Sequence, residues 1–346
     1  MDYRKIKGMR LRQLVPVMLS SVALAQSFTV QNSNTTENLR GLSAVSPAII
    51  WASGTHGTYL RTVDGGTTWS AGHVEGAENL DFRDVQASSA DEAYLLAAGP
   101  GDQSRIYKTA DAGKTWTLQF TNPETKGFFD CMSFWDRTHG IAIGDPVNGE
   151  FDLIKTDDGE HWQPVADGAG PRSLAQEGAF AASGTCLVTQ GASNVWFATG
   201  GFAARVFRSN NRGQTWSAAD LPLVKDNASS GAFSLAFDGQ GRAVSGGGDY
   251  QHADRNPTLA YSDDGGITWQ NLPFGQQSYF SAVAIDPANR RHLLAVGSAH
   301  AAYADDLGSG VWKAWWDLNL NAAAYVGPGE AIAVGPQGKI VKFTLP

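Results

Sequence analysis

The 346-residue chain contains only two cysteines, Cys131 and Cys186. Small secreted domains that depend on disulfides for stability carry several cysteine pairs, so that class of protein is excluded. A chain of this length can bury a sufficient apolar core without such cross-links. The fold must therefore be sought in the pattern of apolar residues.

Charged residues are also scarce. Asp, Glu, Lys and Arg together make up 17% of the chain, and the 34 acids outnumber the 26 bases. Nucleic acids and anionic lipids are bound through basic surfaces that displace counterions. The acidic balance argues against either as the main partner, and no nucleic-acid partner is predicted.

Long apolar runs are absent except near the N terminus, where Leu14 to Leu24 is mostly apolar and follows five basic residues. This run is too short to cross a bilayer, and Ala23-Leu24-Ala25 fits a small-x-small cleavage site. Residues 1–25 are therefore predicted to be a signal peptide cleaved near Ala25, with an uncut N-terminal anchor as the alternative. The mature chain is expected to be a secreted or periplasmic monomer without a transmembrane span.

Signatures of the common catalytic and cofactor sites are missing as well. There is no Gly-x-Gly-x-x-Gly between a strand and a helix, no Gly-x-x-x-x-Gly-Lys-Ser/Thr phosphate loop, no His-Glu-x-x-His and no Cys-x-x-Cys. The seven histidines are scattered, and only His252, beside Asp249 and Asp254, stands in a cluster that suits a metal. The sequence predicts neither a cofactor nor a metal site.

The dominant positive feature is a turn that occurs five times between two strand-like runs. In each copy a hydroxyl residue or Lys, an acid or amide, and a glycine precede a tryptophan by seven, five and three residues, which marks an internal repeat. The copies are Thr62, Asp64, Gly66, Trp69; Thr109, Asp111, Gly113, Trp116; Lys155, Asp157, Gly159, Trp162; Ser209, Asn211, Gly213, Trp216; and Ser262, Asp264, Gly266, Trp269.

Each copy is predicted to form the tip of a β-hairpin. A short carboxylate or amide accepts backbone hydrogen bonds within such a turn, and glycine adopts the positive φ that closes it. The tryptophan is predicted to be buried between neighbouring sheets, so the role of the motif is structural. The signature resembles the Asp box of sialidase/BNR-repeat propellers, Ser/Thr-x-Asp-x-Gly-x-x-Trp, with Lys155 and Asn211 as departures.

A second repeat predicts the number of blades. Short apolar strands end at glycines that lie 38 to 56 residues apart, as expected for four-stranded propeller blades. The seventh unit stops after its third strand, Lys339 to Leu345, so Ser27 to Gln31 is predicted to supply the fourth strand and close the ring. The fold prediction is therefore an all-β, seven-bladed β-propeller over residues 26–346. The seven glycines are Gly54, Gly99, Gly144, Gly200, Gly246, Gly297 and Gly335.

The order of these motifs resembles bacterial proteins described as photosystem II stability/assembly factor-like, over nearly all of the mature chain. The resemblance implies a seven-bladed propeller. The assembly factor itself binds a membrane-protein precursor through an arginine-bearing face, and some relatives carry an oxidoreductase label; neither property is carried over to this chain. The stretches that resemble the group are Phe82-Arg83-Asp84-Val85, Gly99-Pro100-Gly101-Asp102, Arg105 to Thr109, Phe128 to Met132 and Phe180 to Thr185.

One face of the predicted propeller carries the candidate binding residues. Entries into the inner strands and the loops between second and third strands share that face, whereas the Asp boxes lie on the other. The alternative is that these residues are solvated loop groups and ion pairs between blades. The candidates at the inner-strand entries are Arg40, Arg83, Asp130, Glu177 and Tyr279, and the loops add Asp102, Arg105, Asp145, Asp249, Tyr250 and His252.

The functional prediction is a non-enzymatic binding or assembly platform that engages a protein or glycan at the channel mouth. Arginine offers planar, bidentate donors for carboxylates, so an acidic peptide or sugar is the expected ligand class. The alternative is a sialidase-like glycoside hydrolase that uses the same face. In that case Arg40 and Arg83 would be two of three carboxylate-binding arginines, and Tyr279 with Glu177 would form the nucleophile pair.

The two cysteines lie thirteen and fourteen residues before the glycines of their blades. They therefore occupy near-equivalent places on neighbouring inner strands, and a disulfide in an exported chain is one of two open alternatives. Bridging requires Cα atoms within about 7 Å.

Overall fold

The computed structural model describes residues 27–166, 168–276, 278–307 and 309–345. The predicted signal peptide lies outside the described residues. Apart from one turn of 3₁₀ helix at Gly101–Gln103, the regular structure of this part of the chain is β-strand. None of the helices in the described residues is long and apolar enough to cross a membrane.

Within the described residues the strands form seven sheets, one for each predicted blade. Blades 1 and 2 contain β2 (Leu39–Ala44), β3 (Ile50–Gly54), β4 (Thr58–Thr62), β5 (Ser70–His73), β6 (Phe82–Ala87), β7 (Ala93–Ala97), β8 (Arg105–Thr109) and β9 (Thr117–Thr121). Blades 3 and 4 contain β10 (Phe129–Phe134), β11 (Gly140–Val147), β12 (Glu150–Thr156), β13 (Gln163–Pro164), β15 (Leu187–Gln190), β16 (Asn194–Ala198), β18 (Arg205–Ser209) and β19 (Ser217–Asp220). Blades 5 and 6 contain β20 (Ser230–Phe237), β21 (Ala243–Asp249), β22 (Leu259–Ser262), β23 (Gln270–Asn271), β24 (Ala282–Ile285), β25 (Leu293–Val296), β26 (His300–Ala304) and β27 (Lys313–Trp316).

Blade 7 is completed by the start of the described chain, as predicted. Its own strands are β28 (Ala322–Gly327), β29 (Glu330–Val334) and β30 (Ile340–Thr344), and β1 (Ser27–Gln31) pairs antiparallel with β30. The inner strands β2, β6, β10, β15, β20, β24 and β28 contact one another in sequence around the ring, and β28 contacts β2. Pairing β1 with β30 covers an edge that an open array would expose.

The apolar core lies between blades rather than inside one of them. Trp51 of blade 1, for example, packs in one cluster with Val85 and Leu95 of blade 2. Because each sheet alternates its side chains between two faces, every blade contributes to the clusters on both sides. The ring is therefore held together by sheet-to-sheet packing.

The Asp boxes close the turns between third and fourth strands. In the first box Thr62 Oγ1 donates to Asp64 Oδ1 at 2.8 Å and accepts the Gly66 N–H at 3.0 Å, while the Thr68 N–H donates to Asp64 Oδ1 at 2.9 Å. Gly66 has φ +84°, which a side chain would disfavour. The same bonds recur in the boxes of Asp111, Asn211 and Asp264.

The third box differs from the sequence prediction, because its turn is one residue shorter. Thr156, not Lys155, accepts the Gly159 N–H at 2.9 Å, and Asp158, not Asp157, accepts the His161 N–H at 2.8 Å. The spacing from the tryptophan therefore predicted Asp157 as the acid of this box, which is wrong, because Asp158 occupies that role. Lys155 instead donates from Nζ to the carbonyl of Gly213 in the next box at 3.2 Å.

The box tryptophans pack against the blade that precedes their own, but they are less uniformly buried than predicted. Trp69 and Trp162 are buried, and their indole N–H groups donate to Gln31 and Gln119. The other three are only half-buried; these are Trp116, Trp216 and Trp269.

Blades 3 and 4 are joined covalently. A disulfide links Cys131 on β10 to Cys186, directly before β15, with the Cα atoms 6.0 Å apart. The connection between these blades is also the least regular part of the ring. Its segment β14 (Glu177–Gly178) pairs with β17 (Gly200–Gly201), and both extend the sheet of blade 5.

Candidate functional site

Inner strands begin, and second strands end, on one face of the propeller, which we call the mouth face. Its position is set by the pairs Leu39 with Gly54, Phe82 with Ala97, and Phe129 with Gly144. The Asp boxes lie on the opposite face, which we call the box face. The division of the loops between two faces therefore follows the predicted pattern.

Three consecutive inner strands open with a β-bulge. The extra residue of the bulge is Arg40 in β2, Arg83 in β6 and Asp130 in β10. A bulged residue leaves the ladder, and its side chain is re-aimed relative to the pleat. Blades 1 to 3 thereby present two guanidinium groups and one carboxyl group from equivalent positions at the channel mouth.

Arg40 lies at the channel mouth with an incomplete set of hydrogen bonds. Its Nε–H is buried and has no acceptor among the described residues. Burial and the nearby charge of Arg83 lower the pKa of Arg40, while Asp81 and Tyr279 oppose that shift. Asp81 is itself engaged by the Arg83 Nε–H at 2.7 Å. The structure thus retains a half-buried cation whose Nε–H has no hydrogen-bond partner in the described part of the chain.

Asp130 and Asp145 are carboxyl groups next to Arg83. Burial raises the pKa of Asp130 well above its usual range, the charge of Asp145 adds to this, and Arg83 opposes it. Burial also raises the pKa of Asp145, which accepts the Ala179 N–H at 2.9 Å. Asp130 Oδ2 is buried without a hydrogen-bond partner among the described residues. A neutral carboxyl group at this position can donate a hydrogen bond to a ligand.

Glu177 is not free at the channel mouth, because it forms a buried ion pair. Arg205 donates from Nε to Glu177 Oε1 at 2.9 Å, and the Thr199 hydroxyl donates to the same oxygen at 2.6 Å. The Leu174 N–H donates to the other oxygen at 2.8 Å. Burial raises the pKa of Glu177, but these bonds, led by that of Arg205, outweigh it and leave the pKa lowered. This candidate supports the loop that contains it.

Asp102 and Arg105 also lie apart from the channel. Asp102 lies in the loop before β8, the third strand of blade 2, and Arg105 is the first residue of that strand. Both are farther from the axis than the inner strands, and Arg105 donates from Nε to the carbonyl oxygen of Asp102 at 2.6 Å. The Asp102 side chain is 76% exposed. These residues therefore belong to the outer part of the mouth face.

Asp249 forms a network at the end of β21. It accepts hydrogen bonds from Asn227 at 2.8 Å and Ser229 at 2.7 Å, and it pairs with Arg255 and His252. Burial raises the pKa of Asp249, but these bonds outweigh that effect and hold it far below its usual range. No cluster of His, Cys, Asp or Glu in the described ranges is arranged to hold a metal ion. The network ties two loops of blade 5 together.

Tyr250 and Tyr279 belong to an aromatic row that leads from the mouth face toward Arg40. The ring of Phe180 lies 6.2 Å from Tyr250 and 4.6 Å from Phe233, and Phe233 lies 6.0 Å from Tyr279. Tyr279 is close enough to Arg40 to influence its pKa. The row therefore connects the apolar part of the mouth face with its cationic part.

Sequence reasoning missed Asp84, a buried carboxyl group on β6. It accepts the Met132 N–H at 2.7 Å and the Gln86 side chain at 3.0 Å. Burial raises the pKa of Asp84 to about 7 despite these bonds. Its position directly after Arg83 in an inner strand was the only available signal.

A cleft of about 840 Å³ opens on the mouth face across blades 2 to 5. Arg83, Asp130 and Asp145 line one end, and Leu174 and Phe202 line the other. Its volume lies within the range of about 300–1,000 Å³ that is typical of ligand sites. The sequence did not predict the apolar end, because neither residue stands in a repeat.

Comparisons with known proteins agree with this architecture. The BNR/Asp-box repeat family matches residues 260–271. The photosystem II assembly lipoprotein Ycf48 of Synechococcus sp. (strain CC9902) is 23% identical over 275 residues, which cover 70% of this chain and 78% of that protein. The sequence-based recognition is confirmed: the chain is a seven-bladed propeller that carries a BNR/Asp-box repeat and is similar to photosystem II assembly factors.

Solved structures show the same fold. Ycf48 bound to a D1 peptide superposes with a TM-score of 0.64 at 16% identity, over 92% of this chain and 97% of that chain. Ycf48 from Cyanidioschyzon merolae superposes with a TM-score of 0.60 at 18% identity, over 91% and 98%. The GH74 enzyme of Niastella koreensis gives a TM-score of 0.63 at 14% identity, over 90% of this chain and 53% of that chain. At these identities the likeness establishes the fold.

Proposed function

We propose that the protein is a non-enzymatic binding platform that holds an acidic segment of a protein partner at its channel mouth. The observation that carries the proposal is the Arg40 guanidinium, half-buried beside Arg83 with a buried Nε–H that lacks an acceptor. A buried donor without a partner costs free energy, so its presence favours a role in binding. A carboxylate is the anion that matches a guanidinium best. The neighbour that binds a D1 peptide supports a peptide rather than a glycan as the ligand.

We also propose that the mature protein is exported and acts as a monomer. The basic start, the apolar run and the small-residue cleavage site support a signal peptide over residues 1–25. Closure of the ring by β1 supports a self-contained propeller, because the fourth strand of blade 7 comes from the same chain. Mass spectrometry of the exported protein for an N terminus near Gln26, together with its mass in solution, tests both points.

The glycoside hydrolase alternative gains less support. The GH74 neighbour shares the fold. A sialidase-like mechanism would need a free acid beside Tyr279, but both oxygens of Glu177 are engaged by Arg205, Thr199 and the Leu174 N–H. Measurable turnover of an aryl-sialoside or aryl-glycoside by the purified protein would favour the enzyme and contradict the platform.

The binding proposal is tested with Arg40→Gln and Arg83→Gln, separately and together. A randomised peptide library displayed on phage is the probe, and acidic sequences are expected to be enriched on the natural protein. The double variant is expected to bind the enriched peptides at least about tenfold more weakly, since charge-assisted hydrogen bonds are lost. Arg105→Gln, on the outer part of the same face, is the matched control and should bind normally.

Stability measurements separate binding from a structural role. Arg40→Gln removes a half-buried charge that has no ion-pair partner among the residues that the structure describes, so the free energy of unfolding of the variant is expected to equal or exceed that of the natural protein. If the variant is instead destabilised while peptide binding is unchanged, Arg40 is a structural residue and the proposal is wrong.

A further inference from the structure

The apolar end of the mouth-face cleft is built from side chains that a folded protein normally buries. Leu174 is 53% exposed and Phe202 is 49% exposed. They lie on separate loops, and the Phe202 N–H donates to the carbonyl of Gln176 at 3.1 Å. The two side chains therefore form one apolar surface on the wall of the cleft.

The loop that carries Leu174 is held in place by the buried ion pair beneath it. Glu177 binds the Leu174 N–H through one oxygen, and Arg205 donates to the carbonyl of Arg172 at 3.0 Å while it pairs with Glu177. Gln176 adopts a positive φ of 57°, which is strained for a residue with a side chain. The buried ion pair thus holds a strained loop in place, and the loop exposes Leu174 at its tip. Backbone strain that the surrounding structure maintains is a feature of binding sites.

The apolar end of the cleft lies close to Arg83, at the end that also contains Asp130 and Asp145. Arg83 donates from Nη1 to the carbonyl of Ala181 at 3.3 Å, and the neighbouring residue Phe180 lines the cleft. The row of rings from Tyr250 through Phe180 continues toward the channel mouth. Gly178, three residues before Ala181, pairs with Gly200, two residues before Phe202. A peptide of a few extended residues, at about 3.3–3.6 Å each, therefore reaches from Arg83 to Phe202.

We propose that the partner segment is an acidic peptide that also carries a large apolar side chain, Leu, Ile, Met or Phe, within about three residues of its acid. This inference rests on the proposed function: Arg83 lines this cleft, and Arg40 lies close enough to Arg83 for the two charges to interact. The apolar side chain is held by Leu174 and Phe202. The surroundings favour a peptide of this kind, since the Arg83 guanidinium matches a carboxylate and the apolar end rewards burial.

The test compares peptides selected from the same phage library on three forms of the protein. The natural protein is expected to select sequences that combine an acid and an apolar residue. Leu174→Ser with Phe202→Ser is expected to select acidic sequences without the apolar preference. Arg40→Gln with Arg83→Gln is expected to keep the apolar preference and lose the acid.

A double-mutant cycle then uses one selected peptide and a second peptide in which Ser replaces the apolar residue. The natural protein is expected to bind the Ser copy about tenfold more weakly, whereas the Leu174→Ser, Phe202→Ser protein should distinguish the two peptides by less than about twofold. Ile267→Ser is the matched control, since Ile267 is 55% exposed on the box face and lies far from the cleft. Thermal unfolding of all forms confirms that they fold.

The possible results separate the two proposals. Acidic peptides without an apolar preference on the natural protein would overturn this inference and leave the proposed function intact. Apolar peptides without an acid would overturn the proposed function. A library that yields no enriched sequence, or an Ile267→Ser protein that loses the apolar preference equally, would contradict the site itself.

Discussion

Asp64 on the box face and Asp130 on the mouth face are carboxyl groups in repeated positions, but their hydrogen bonds differ. Asp64 is solvent-accessible and accepts three hydrogen bonds from Thr62 and Thr68, which lower its pKa to about 2. Asp130 is buried with one oxygen unpaired, and its pKa is raised. Fully paired groups serve the architecture, whereas buried groups that lack partners are candidates for ligand contact.

Two cations of the box side are paired, although Arg208 there has a buried Nε–H without a partner among the described residues. Lys155 on the box side bridges two blades by donating to the carbonyl of Gly213, and Lys108 pairs with Glu92 and Glu160. On the mouth face Arg40 keeps a buried donor without an acceptor. The box face is therefore expected to respond to substitution mainly through stability, and the channel mouth mainly through binding.

The largest expected effect tests the box face. Trp69→Ala or Trp162→Ala is expected to lower the free energy of unfolding by about 3–5 kcal/mol, because each removes a buried indole and its hydrogen bond to the preceding blade. Denaturant unfolding measures the change, and peptide binding by the folded fraction should stay normal. Trp316→Ala is the control, since that indole is 54% exposed and should change stability by at most about 0.5 kcal/mol.

The next effect concerns the link beneath the channel mouth. Replacing Cys131 and Cys186 together by Ser is expected to lower the free energy of unfolding by about 2–5 kcal/mol, since the disulfide closes a loop across 55 residues. Denaturant unfolding of the variant and of the natural protein measures the difference. Two free thiols in the unreduced, denatured natural protein would contradict the link altogether.

The repeat and the ring closure could be predicted because both follow from the spacing of residues along the chain. The strand-to-glycine units, the boxes and the unpaired Ser27 to Gln31 segment are all visible in the order of residues. A bulge is not, since the extra residue at Arg40 or Asp130 exists only relative to the partner strand. The sequence thus placed these residues at the channel mouth without showing how they are aimed.

The remaining differences between the sequence prediction and the structure arise mainly from contacts between residues that are distant in the chain. Glu177 was predicted as a binding residue at the channel mouth, with ion pairs as the alternative, and Arg205, 28 residues away in the chain, forms an ion pair with it. Leu174 and Phe202 line one cleft. They do so because β14, in the connection between blades 3 and 4, pairs with β17, in the loop between the second and third strands of blade 4. In the third box, a turn that is one residue shorter moved the acid from Asp157 to Asp158.

The pH dependence of stability sharpens the contrast between the faces. Burial raises the pKa of Asp84 from 3.8 to about 7, so the folded state holds this proton more tightly than the unfolded state does. Its stabilising contribution is therefore complete below pH 3.8 and is lost as the pH rises to about 7. Asp84→Asn is expected to gain stability relative to the natural protein over that interval, as measured by urea unfolding from pH 4 to 8.

The contribution of Asp64 to stability should have the opposite pH dependence. Hydrogen bonds from Thr68 lower the pKa of Asp64 from 3.8 to about 2, so its contribution is present above pH 3.8 and is lost as the pH falls toward 2. Asp64→Asn should flatten this acid limb without changing stability at pH 7, because Asn211 already accepts equivalent bonds in the fourth box. A variant that loses stability equally at all pH values would contradict the assignment.

The smallest effect decides which acid serves the third box. Asp158 accepts the N–H groups of Glu160 and His161 at 2.8 Å, whereas the neighbouring Asp157 is the residue that the spacing indicates. Asp158→Ala is expected to lower the melting temperature by a few degrees, and Asp157→Ala is expected to leave it unchanged, since only the first unpairs turn amides. Differential scanning calorimetry measures the melting temperatures of the two variants, each of which removes one carboxylate from the same turn. A larger drop in melting temperature for Asp157→Ala would contradict the shorter turn. It would support the longer turn that the sequence predicts, with the same spacing in all five boxes.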